Sequence, residues 1–177
     1  MLRTSPVLGA GHSSRSAVGA TDVSLVVVPH TTRSCGTCTA CCDGWLTATI
    51  RGHEMKAGVP CHFRGTGCCT IYEERPDRPC RIFFCGWRLR NNPFPDTFRP
   101  DQLGVLIVAK QWRKRPGYEL VSAGRDPDAA LLQWMRDYSV ATGTPFVYSI
   151  AGQRQAFGAP EFQQEFRDKT ARGEPLW

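Results

Sequence analysis

Cys35-Gly36-Thr37-Cys38-Thr39-Ala40-Cys41-Cys42 is the stretch that decides how this chain is built. Two-residue gaps let successive thiolates curl toward one centre while backbone amides turn to the sulfurs, an arrangement shared by zinc knuckles and iron–sulfur loops. Adjacent residues in extended geometry point to opposite sides, so Cys41 and Cys42 are not expected to serve one small site equally. One completes the first site, and the other faces a second site or packs.

Working outward, Cys61, Cys68, Cys69, Cys80 and Cys85 follow, so that all nine cysteines of the 177 residues fall within a window of 51. Loops spread these later cysteines, and the segment must fold back to bring them to the first group. A disulfide framework fits poorly: nine is odd, and residues 1–30 lack a basic region followed by an apolar stretch long enough for a secretory signal. Dense thiols in a reducing compartment serve metals or redox chemistry, which places the expectation in the cytoplasm. No apolar run approaches the 18 or more residues of a membrane span, so no membrane partner is expected.

The order of these residues resembles the YkgJ-like cysteine-cluster family, described as a zinc- or iron-chelating domain. The resemblance rests on CxxCxxCC at Cys35, Cys38, Cys41 and Cys42, a further Cys61, then Cys69-Thr70-Ile71-Tyr72-Glu73-Glu74-Arg75-Pro76, and Cys80-Arg81-Ile82-Phe83 followed by Cys85. It covers about residues 35–87. The resemblance implies metal chelation through Cys35, Cys38, Cys41, Cys42, Cys61, Cys69, Cys80 and Cys85, and it implies no particular reaction. Cys68, extra before Cys69, and Pro79 before Cys80 depart from the family pattern.

Beside the thiols, Arg75 and Arg81 flank ligands and are expected to neutralise and hydrogen-bond the anionic group they form. Tyr72 and Phe83 are expected to be core residues shielding the site, and Trp45 and Trp87 to cover it. His53 and His62 are read as ordinary polar residues. The formal charge is +6, and residues 34–90 carry eight Lys or Arg against five Asp or Glu, whereas residues 91–177 carry eleven against ten. Four thiolates around a zinc ion leave −2, so these arginines are expected to balance the site. A nucleic-acid partner is the lesser reading of the same excess.

The expected architecture is α+β: one small domain in which a loop-rich cysteine module, residues 34–90, packs with a scaffold, residues 91–177, behind a flexible arm, residues 1–33. Within the arm, Val23 to Val28 could add an edge strand. Trp45 to Ile50 alternates like a short strand, and Phe94 to Pro100 reads as an extended connector. Leu103 to Ala109 and Tyr118 to Ser122 form a hairpin about a basic turn at 113–117. Asp126-Pro127 starts a helix carrying Leu131, Leu132, Met135 and Tyr138 and stopped by Gly143. Phe146 to Ile150 suits a buried strand, and Pro160 to about Thr170 a second helix.

Soft thiolate ligands suit both zinc and iron, so the expected cofactor is an iron–sulfur cluster or zinc. The closely spaced triplet with remote partners favours the cluster. Three function classes follow: a metal or redox module, a cluster-dependent modifying enzyme, and a zinc-stabilised adaptor for nucleic acid or protein. No Gly-rich cofactor loop and no HExxH motif assigns a reaction.

Overall fold

The computed structural model describes residues 32–177. The Val23–Val28 segment and nearly all of the expected arm lie outside the described residues. Arg33, the last residue of that arm, is docked: its guanidinium donates to the carbonyls of Trp87 at 3.0 Å and Phe94 at 2.8 Å and lies 4.9 Å from the Trp87 ring.

The chain is α+β, as expected, and is organised by two sheets. In the cysteine-rich half, β1 (Ala48–Ile50) and β2 (His53–Met55) pair antiparallel. Their two-residue turn, Arg51-Gly52, has positive φ at both positions, the type I′ geometry that matches the twist of flanking strands. The larger sheet has the order β3-β4-β5-β6, from β3 (Val105–Trp112), β4 (Arg115–Ser122), β5 (Phe146–Ile150) and β6 (Gln153–Phe157). Its outer pairs are antiparallel, and β4 and β5 are parallel.

The β3–β4 turn is tighter than the sequence suggests. Trp112 pairs directly with Arg115, leaving only Arg113 and Lys114 at the tip, both at positive φ. Pro116 is tolerated inside β4 because β5 pairs with that strand only at Tyr118 and Glu119, beyond the position that lacks an N–H. The connector after Phe94 is also less extended than expected. It contains a 3-10 turn at Asp96–Phe98 and one helical turn, α1 (Pro100–Leu103).

Joining β4 to β5 is α2 (Ala129–Thr142), which ends at Gly143 in the left-handed region as anticipated. Its cap is Asp128 rather than Asp126: the Asp128 carboxylate accepts the Leu131 N–H at 2.8 Å and satisfies an otherwise orphan donor. Asp126 instead accepts from Ser122 Oγ at 3.0 Å and the Ala151 N–H at 2.8 Å, tying the ends of β4 and β5. The second long helix, α3 (Pro160–Arg172), follows β6.

Alternation along β5 assigns the two helices to opposite faces. Phe146 and Tyr148 join Tyr118, Leu120 and the α2 residues Leu131, Leu132 and Met135 in one core. Val147, between them, packs with Trp112 and the α3 residues Phe162 and Phe166 in another. Phe94, 2% exposed, closes the first core against the rings of Tyr118 and Trp134, with centroids at 5.0 and 5.6 Å.

At the β3–β4 tip, Glu165 of α3 accepts from the Trp112 indole and the Arg113 guanidinium, each at 3.0 Å. The indole hydrogen bond, then those of Arg113 and Lys169, holds its carboxyl below the ordinary range. A depressed folded pKa stabilises above the unfolded value, about 4.3, and the contribution is lost as pH falls through the folded value. Wild type and Glu165→Gln are therefore expected to differ in urea midpoint at pH 7 and to converge on acidification toward pH 3. Parallel midpoints across that range would remove Glu165 from the acid response.

Candidate metal centre

The nine cysteines are all free thiols, carried on turns rather than on the large sheet. Cys35 and Cys38 belong to one tight turn, with the Cys38 N–H on the Cys35 carbonyl at 2.9 Å. Cys41 and Cys42 end the following 3-10 turn, Ala40–Cys42, with their sulfurs 3.8 Å apart.

From there the chain passes through the β1–β2 hairpin and returns, and the Cys61 N–H bonds to the Cys42 carbonyl at 2.9 Å. Residues 61–70 form a small loop closed on itself: Arg64 bridges antiparallel to Cys69, and the Thr70 N–H reaches the Phe63 carbonyl at 2.9 Å. That closure returns Cys69 beside Cys61 and leaves Cys68 exposed. Cys80 lies in the turn Asp77–Arg81 and packs with Cys42 and Cys61 around Ile50 and Met55.

Cys85 has a different seat. It is buried in the main core, at the start of the turn Gly86–Arg88. A Cβ on Gly86 would stand 2.8 Å from Ile107 Cγ2 and 3.1 Å from Phe94 Cε2, so only glycine lets this turn lie against the sheet. Arg88 connects Cys85 to the first turn. Its N–H bonds to the Cys85 carbonyl at 2.9 Å, its Nη1 donates to Cys35 Sγ at 3.3 Å, and its Nε donates to the Arg33 carbonyl at 3.1 Å.

The electrostatics divide the thiols the same way. Burial pushes Cys85 up to about 11, and Cys35 and Cys38 add to the shift. Burial likewise raises Cys38 against the backbone hydrogen bonds it accepts from Ala40 and Asp101, and the Cys35 charge adds to the rise. Cys61 is raised by burial and then by Cys42 and Cys69, and Cys80 by burial and then by Cys42, Cys61 and Cys69. Cys41 and Cys42 contact each other and split: the contact raises Cys41, which also feels Cys35 and Cys38, and lowers Cys42, which is further helped by Arg64 and Arg75. Thus Cys35, Cys38, Cys41 and Cys85 form one neighbourhood, and Cys42, Cys61, Cys69 and Cys80 another.

Every cysteine except Cys85 lines a cavity of about 700 Å³. Val108, Lys110, Glu119 and Val121 of β3 and β4 close it from the sheet side. Among the described residues, no three His, Cys, Asp or Glu side chains are already gathered into a metal-binding group. Apart from the Cys41–Cys42 contact, the thiols are arranged around the cavity. Their chemistry still fits a soft metal: all are unpaired, and the Arg75 Nε is buried without a hydrogen-bond partner beside Cys42 and Cys80. A neutral thiol cluster has no use for a neighbouring cation with one buried, unfilled N–H, whereas an anionic thiolate centre does.

The two arginines singled out in the sequence play different parts. Arg75 lies with its guanidinium 3.7 Å from the Tyr72 ring; its charge favours the thiolate at Cys42 and partly opposes the burial that raises Cys80. Arg81 is spent on the backbone, donating to the Arg75 carbonyl at 2.8 Å and to the Glu73 carbonyl, which shapes the turn that carries Cys80. Tyr72 is 55% exposed, so it is no core residue; its ring is a platform for Arg75. Phe83 and Trp87 do pack on the main core, and Trp45 lines the cavity. His53 and His62 are exposed and stack on each other at 3.7 Å.

Sequence reasoning overlooked Arg88. Its signal was its position three residues after Cys85, the spacing that returns a side chain over one turn. The basic excess of this half is accounted for in part by Arg64, Arg75 and Arg88 beside the thiols. The basic tip is also partly engaged, because Arg113 pairs with Glu165 at 3.0 Å.

No helix among the described residues is long and apolar enough to cross a membrane. The chain matches no family model, and no curated protein or solved structure matches it.

Proposed function

We propose that this chain is a metal-binding cysteine-cluster protein that holds an iron–sulfur cluster or zinc through cysteine thiolates, acting in redox chemistry or metal handling. The observation that carries the reading is the convergence of three separate turns and one closed loop on a single cavity walled by unpaired thiols. Cysteines kept only for packing would be scattered through the apolar core, and here only Cys61 and Cys85 are buried. The likeness of the CxxCxxCC pattern to YkgJ-like proteins points the same way.

Metal binding displaces protons from thiols that burial holds protonated, so occupancy is expected to rise with pH. Elemental analysis and a visible spectrum of protein purified without oxygen test the reading. Iron with acid-labile sulfide and a broad brown absorbance is expected for a cluster, and zinc without colour for a structural site. Protein containing neither metal, and taking up neither on reconstitution, would refute the proposal.

A further inference from the structure

Resting on the metal-binding reading, we propose that the chain builds two metal centres rather than one. Cys35, Cys38, Cys41 and Cys85 ligate the first, and Cys42, Cys61, Cys69 and Cys80 the second. The centres abut at the Cys41–Cys42 step.

Backbone and packing carry the division. Cys42, Cys61 and Cys80 share one small apolar seat on Ile50 and Met55, and the loop closed by the Arg64–Cys69 bridge returns Cys69 to it. Cys85 sits in the other, larger core with Phe94 and Ile107, and Arg88 grips both its carbonyl and the Cys35 sulfur. The Cys35 to Cys38 turn then belongs with Cys85. Successive residues of a 3-10 turn point about 120° apart, so Cys41 and Cys42 are aimed at different neighbours even though their sulfurs lie 3.8 Å from each other. The Arg64–Cys69 bridge fixes Cys69 in the closed loop, and Cys68, exposed at the edge of the cavity, is left out of both sets.

Each centre has its own compensating cation. Four thiolates around a divalent metal leave a charge of −2. Arg88 donates to a sulfur of the first set, and Arg75 stands beside the second with its buried Nε unfilled. A single centre drawing ligands from both sets would strand one of these cations beside protonated thiols.

The test is an anaerobic titration of the full-length apo-protein with cobalt(II), followed by thiolate-to-cobalt charge-transfer absorbance and by native mass spectrometry. Saturation at two cobalt ions per chain is expected. Cys35→Ser and Cys69→Ser change half-buried positions and are each expected to remove one ion, the double variant both, and Cys68→Ser neither. Saturation at one ion in the wild type overturns the two-centre assignment while leaving metal binding intact, and it needs no variant to be read. So does loss of both ions from either single variant in which far-ultraviolet dichroism shows the sheet retained. Failure to bind cobalt at all would instead count against the metal reading itself.

Discussion

Removing metal from the full-length protein with a strong thiol-competing chelator is expected to unfold the cysteine module and leave the large sheet standing. The apolar cluster under the second set contains only Ile50, Met55 and Cys61 as buried residues. Burying two such side chains is worth roughly 3–6 kcal/mol, whereas a structural tetrathiolate zinc contributes on the order of 10 kcal/mol, more than that whole apolar cluster. The core of β3, β4, β5 and α2 instead holds Val105, Leu106, Ile107, Leu120, Met135 and Phe146, each no more than 2% exposed. Hydrogen exchange followed by mass spectrometry should therefore show the β1–β2 amides losing protection on chelation while those of β3 and β4 keep it. Unchanged protection across residues 48–55 would mean that the module stands without metal.

The second large effect is expected at Phe94. Its ring touches α2 through Trp134 and Tyr138 and the sheet through Tyr118, and Gly86 lies against it. Truncation to alanine removes an aromatic side chain from a site that several rigid elements prevent from collapsing, at a cost of about 3–5 kcal/mol. Urea denaturation with an unchanged slope and a lowered midpoint would report it. Because Phe94 also backs the turn that follows Cys85, Phe94→Ala should weaken metal retention at the first set more than at the second. Phe94→Leu, which keeps most of the volume, should recover much of both losses. A stability loss below about 1 kcal/mol would show that the neighbouring rings close the cavity.

Local punctuation explains which elements could be read directly. Gly143 stops α2 because it adopts the left-handed conformation there, and Pro160 opens α3 at a position where its missing N–H costs nothing. Phe146 to Ile150 is apolar enough to announce a buried strand, and β5 has those bounds. By contrast β6, Gln153-Arg154-Gln155-Ala156-Phe157, carries no apolar alternation. It exists because the Ala151-Gly152 turn folds it back onto β5 at the sheet edge. Which of two aspartates caps α2 was equally hidden, since Asp126 and Asp128 differ only in which orphan N–H their carboxylates reach.

The same line divides the candidate site. Residue type and spacing alone identify a thiol-rich module and its α+β setting, whereas the extended backbone expected at Cys41 and Cys42 is instead a 3-10 turn that brings their sulfurs to 3.8 Å. Tertiary structure alone decides that Cys85 stands with Cys35 and that Cys61, Cys69 and Cys80 stand with Cys42. It alone gives Arg88 to a sulfur and Arg81 to the backbone. Those pairings join residues separated by up to 53 positions through loops whose closure depends on the sheet, on Phe94 and on the Gly86 contact, and no local rule encodes contacts at that distance.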